Sequence, residues 1–70
     1  MRKVVLREEY IKLGQALKAS RLADSGVDAK FAVLEGKVKV NGSVELQRGK
    51  KLHAGDVVEY NGEQIQISAP

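Results

Sequence analysis

Ser25-Gly26-Val27-Asp28-Ala29-Lys30-Phe31-Ala32-Val33-Leu34-Glu35-Gly36, running on into Lys37-Val38-Lys39-Val40-Asn41-Gly42, is the stretch that decides the fold. Ser25 and Asp28 stand three residues apart, the spacing of a capping pair, and Asp28 also suits the positive end of a helix dipole. Val27, Phe31 and Leu34 then recur at i, i+4 and i+7. Ala29, Ala32 and Val33 widen that apolar surface until Glu35-Gly36 supplies a glycine stop. The pattern predicts a mostly buried helix with Phe31 in the core. After Gly36 the period drops to two, because Lys37, Val38, Lys39 and Val40 alternate charge with branched apolar residues, as in a half-buried strand. Asn41-Gly42 supplies the two positive φ angles of a tight hairpin turn, so the chain should reverse into 43–46.

Working outward, Ser20 to Gly26 is a polar connection, and before it Leu13, Ala16 and Leu17 fall at helical spacing. A first helix is predicted at about 12–20, and Lys3-Val4-Val5-Leu6 reads as a short strand. Downstream, Arg48-Gly49-Lys50-Lys51-Leu52 is a basic segment and His53-Ala54-Gly55-Asp56 a tight turn. A second hairpin joins 57–60 to 63–67 through Asn61-Gly62. Strand, two helices, then strands is an α+β order, in which a helix pair packs on a small, mainly antiparallel sheet with two Asn-Gly hairpins.

Seventy residues are expected to form one domain, 1–70, with a net stability of roughly 3–5 kcal/mol. The absence of cysteine removes disulfides and thiolate metal sites and fits a cytoplasmic protein. No apolar run approaches the length of a membrane span, and no cofactor is implied. The formal charge of +3 is unevenly spread: residues 36–55 hold five Lys and Arg against one acidic residue, whereas 56–70 hold three acidic residues and no Lys or Arg. A basic stretch of this kind suits nucleic acid, although charge alone fits a solvated face as well.

Ser20-Arg21-Leu22-Ala23-Asp24-Ser25, Ala29-Lys30, Glu35-Gly36-Lys37-Val38-Lys39-Val40-Asn41-Gly42 and Ala54-Gly55-Asp56-Val57-Val58 resemble, in this order and spacing, the successive signatures of the S4 RNA-binding domain. The resemblance covers about residues 11–60. It implies the αL arrangement of that family, a helix-loop-helix followed by a β-hairpin, presenting a basic surface to structured RNA. It also implies that Lys12, Arg21, Ser25, Lys30, Lys37 and Lys39 contribute to that surface. Two positions depart from the family pattern: Gly14 stands where Asp is frequent, and Gly26 where a basic Arg follows the Ser.

Cations binding phosphates gain affinity through release of condensed counterions, and Arg can grip a phosphate with two parallel hydrogen bonds. Arg48, Lys50 and Lys51 are therefore added to the candidate residues. At Gly26 two readings stand: a helix start open to an anion, or a glycine that relaxes a tight turn. With Phe31 assigned to the core, little aromatic surface is left for base stacking, so recognition by shape and phosphate spacing is expected. His53, the only histidine, has no partner in sequence for a metal site and is read as a surface or turn residue.

The expected function is non-catalytic binding of structured RNA, of rRNA or tRNA type, by a monomer, in connection with ribosome assembly or translation. A protein–protein adaptor on a ribosomal or other ribonucleoprotein particle, with weak or no RNA binding, is the alternative. An enzyme is not expected, because Ser20 and Ser25 lie far in sequence from the only imidazole and Ser25 and Asp28 are committed to capping.

Overall fold

A computed structural model of the chain describes residues 2–70. The elements are β1 (Arg2–Val5), β2 (Ile11–Lys12), α1 (Leu13–Ala19), α2 (Gly26–Leu34), β3 (Val38–Val40), β4 (Ser43–Val44), β5 (Lys51–Leu52), β6 (Val57–Tyr60) and β7 (Glu63–Ser68). A five-stranded sheet has the order β1-β7-β6-β3-β4, antiparallel throughout except where β1 runs parallel to β7. β2 and β5 form a separate two-stranded ladder.

Both Asn-Gly turns form as the sequence requires: φ is +51° and +86° at Asn41 and Gly42, and +55° and +78° at Asn61 and Gly62. The return strand of the first hairpin is shorter than the expected 43–46 and ends at Val44. Helix two also begins and stops where predicted. The Ser25 hydroxyl accepts the Asp28 N–H at 3.2 Å. At the other end Gly36, at φ +74°, donates to the Val33 carbonyl and Lys37 donates to that of Ala32, a Schellman closure.

The buried face of helix two differs from the prediction. Ala29, Ala32 and Val33 lie in the core, whereas Val27, Phe31 and Leu34 are 60, 55 and 56 % exposed. The expectation that Phe31 is a core residue is thus corrected. Small side chains let α2 sit close against α1, and there is no room on that side for a phenyl ring. The core itself is built from Leu13 and Leu17 of α1, Val33 of α2 and the inward residues Val38, Leu52, Val58, Ile65 and Ile67, all fully buried. Because side chains alternate along a strand, Lys39 of β3 emerges on the opposite, solvent side of the sheet.

Asn41 and Asp56 tie the first hairpin to the turn before β6. Asn41 Nδ2 donates to Asp56 Oδ1 at 3.1 Å, Asn41 Oδ1 accepts the Val57 N–H, and the His53 N–H donates to Asp56 Oδ2 at 2.8 Å. The backbone donor from His53, with help from Asn41 and the nearby His53 and Lys50 side chains, holds the Asp56 carboxyl below its ordinary pKa despite partial desolvation. A carboxyl lowered on folding stabilises the fold fully above its unfolded pKa, and that contribution disappears as pH falls through the folded value. Asp56→Asn is expected to reduce stability at neutral pH by about 1 kcal/mol. It should also flatten the loss of wild-type stability on acidification below the ordinary aspartate range, as read by thermal denaturation across a pH series.

Candidate nucleic-acid interface

The β2–β5 ladder sets the site. Lys12 and Lys51 are direct partners across it, and α1 starts at the next residue, Leu13. The Leu13 N–H donates to the Lys50 carbonyl and the Gly14 N–H to the Arg48 carbonyl, each at 2.9 Å. The basic run 48–51 is thereby fastened along the first turn of helix one. At Gly14 an added Cβ would stand 3.6 Å from Arg48 Cβ, an ordinary contact, so the backbones already lie close without demanding glycine.

Lys12, Gly14, Gln15, Gly26, Arg48 and Gly49 line one open cleft of about 280 Å³. The start of α2 therefore faces the same space as Lys12 and Arg48, and the dipole of a nine-residue helix adds partial positive charge there. Gly26 has no atom within 4 Å of the position a Cβ would occupy, and its φ is not positive. Of the two readings of this glycine, the need for a special backbone angle is removed. The open space remains.

A larger groove, about 560 Å³, adjoins the cleft through Lys12 and is lined also by Lys3, Arg7, Glu8, Tyr10 and Ile11. Lys51 Nζ stands 4.8 Å from the Tyr10 ring centroid, a cation–π contact that holds both side chains beside this groove. Lys3, Arg7 and Tyr10 went unnoticed in the sequence because the recognisable signatures begin only near residue 11. The one available signal was the pair of cations flanking the short apolar run 4–6. Among the described residues the ion pairs are Arg2–Glu63 and Lys37–Glu35, and neither involves Lys12, Arg48 or Lys51.

The ten residues expected at the interface thus divide. Lys12, Gly26, Arg48 and Lys51 are gathered around the two helix starts, with Ser25 supplying the cap, whereas Lys50, just before β5, lies toward His53 and Asp56. Lys30 is exposed one turn along α2 from Gly26. Lys37 lies 3.9 Å from the Glu35 carboxylate, and Lys39 is paired in register with Glu59 and Val44 on the far side of the sheet. Arg21, at φ +64°, sits beyond the other end of α1, about 10 Å of helix away from Lys12.

Comparison with known proteins agrees with this architecture. The model of the S4 domain family matches residues 4–68. YbcJ of Escherichia coli (strain K12) is 36% identical over 63 residues, 90% of each chain. The probable ribosome maturation protein RlbA of Bacillus subtilis (strain 168) is 46% identical over 54 residues, 77% of this chain and 76% of RlbA. The solution structure of E. coli YbcJ, described as revealing an αL motif involved in RNA-binding, superposes with a TM-score of 0.76 and covers 99% of this chain and 89% of its own. Helix pair, mainly antiparallel sheet, ordered signatures and relatives agree, and the chain belongs to the S4 domain family.

Proposed function

We propose that this protein binds structured RNA without catalysis, through the cations gathered at the starts of its two helices. The observation that carries the reading is the shared cleft of Lys12, Arg48 and the α2 N-terminus, with Lys51 across the ladder from Lys12. These cations have no ion-pair partner among the described residues, so phosphates meet them without displacing a carboxylate. Lys30 extends the charged rim, while Lys37, Lys39 and Lys50 serve as secondary contacts for a longer RNA.

Duplex or folded RNA fits this arrangement, since phosphate spacing is what fixed cations read most directly. The names of YbcJ, a putative RNA-binding protein, and RlbA, a probable ribosome maturation protein, support RNA of the ribosome as the target. On the same proposal the chain acts as a monomer of one domain, 1–70, in the cytoplasm. An adaptor role in place of RNA binding draws its support from the apolar side chains exposed on α2. Filter binding to a structured rRNA fragment at low and high salt separates the two, and the RNA reading requires affinity that falls steeply with salt.

Gly26→Arg provides a gain-of-function test. The cleft has space at this position, and a guanidinium there adds a phosphate ligand beside Lys12 and Arg48. Tighter binding is expected, with the slope of log K against log salt steeper by about 0.7–0.9. Unchanged affinity would place the RNA elsewhere.

A further inference from the structure

The outer side of α2 is a surface feature that RNA binding leaves without a role. Val27, Phe31 and Leu34 form a stripe at i, i+4 and i+7, each more than half exposed. The stripe continues past the helix end, because a Cβ at Gly36 would stand 3.9 Å from both Val44 Cγ1 and Leu46 Cδ2, and those two side chains are exposed as well. Scattered apolar residues are normal on a surface, but a contiguous stripe marks a contact.

Lys30 borders the stripe beside Val27 and Leu34, so it is the charge along the opposite, Phe31 edge that decides what fits there. Phe31 borders an open cavity of about 340 Å³ lined also by Leu22, Tyr60, Asp24, Asp28 and Glu35. Asp24 and Asp28 join no ion pair among the described residues, and the Glu35–Lys37 pair is long and exposed. A phosphate backbone laid here would meet these carboxylates, and two copies of the chain paired antiparallel through the stripe would bring their acidic rims together. Arginine and lysine side chains face no such penalty, and an exposed phenyl ring flanked by carboxylates suits a guanidinium stacked upon it.

We propose that the outer face of α2 docks a basic polypeptide segment carrying apolar anchors, so that the protein holds RNA at its helix starts and a cationic protein on its other side. This goes beyond the RNA reading and stands on different residues. The test titrates the full-length, isotope-labelled protein with two short synthetic peptides, one of leucine, serine and arginine, the other with glutamate in place of arginine. Amide shifts at Val27, Phe31 and Leu34 are expected with the arginine peptide alone.

The double variant Phe31→Ser, Leu34→Ser should weaken that peptide by about tenfold or more, the scale of losing an interface anchor. The Asp24→Asn, Glu35→Gln variant should weaken it as well, and both should retain wild-type affinity for RNA. The proposal is overturned if the two peptides act alike, if millimolar arginine peptide moves no amide of the stripe, if RNA moves the Phe31 and Leu34 amides, which lie away from the α2 start, or if these shift with protein concentration alone. RNA affinity is read separately in every variant, so failure of the docking face and failure of the RNA interface give different results.

Discussion

Leu17→Ala is expected to leave the chain largely unfolded, whereas Phe31→Ala should change stability by no more than about 0.5 kcal/mol. Leu17 is fully buried between the helix pair and the sheet, and truncating a buried leucine removes about 2–5 kcal/mol through lost transfer energy and a residual cavity. A chain of this size has only roughly 3–5 kcal/mol in total. Phe31 points to solvent, and its loss opens no cavity. Urea unfolding followed by circular dichroism measures both, and the size of the Phe31 effect, set against that of a buried leucine, tests which side of helix two is inside.

The second large effect concerns RNA. Replacing Lys12, Arg48 and Lys51 together with glutamine should lower affinity for structured RNA at low salt by roughly ten- to a hundredfold. The three are surface cations without ion-pair partners among the described residues, so the fold has little to lose. The matched control is Lys37→Gln with Lys39→Gln. Lys37 already lies beside Glu35, and Lys39 emerges on the solvent side of the sheet in register with Glu59, so their removal should weaken binding much less.

Much of this fold is legible because local chemistry dictates it. Asn41-Gly42 and Asn61-Gly62 supply the positive φ angles that a tight hairpin demands, and Ser25 and Gly36 bracket helix two with a side-chain cap and a left-handed stop. The face of helix two was not legible, since apolar residues occupy both sides of it. Periodicity weighs Phe31 above Ala29, whereas the close contact with α1 admits only the smaller side chain. The pairing of β1 with β7 joins opposite ends of the sequence and has no local signature.

Candidate cations can be picked out of the sequence one by one, but their arrangement in the fold cannot. Spacing and resemblance single out Lys12, Gly26 and Arg48, yet only the two-residue β2–β5 ladder, with no periodicity of its own, brings 48–51 against the first turn of α1. The same strand alternation that exposes Lys39 sends it to the far face of the sheet. Solvent exposure is predictable from sequence in such a strand, and direction relative to the helices is not.

The central claim is that cations at the two helix starts meet RNA phosphates. Its most direct measurement is the slope of log K against log salt for one structured rRNA fragment, in the wild type and in the Lys12, Arg48, Lys51 glutamine variant. A slope shallower by roughly two to three units in the variant is the predicted result. Parallel slopes, with affinity unchanged, would contradict it.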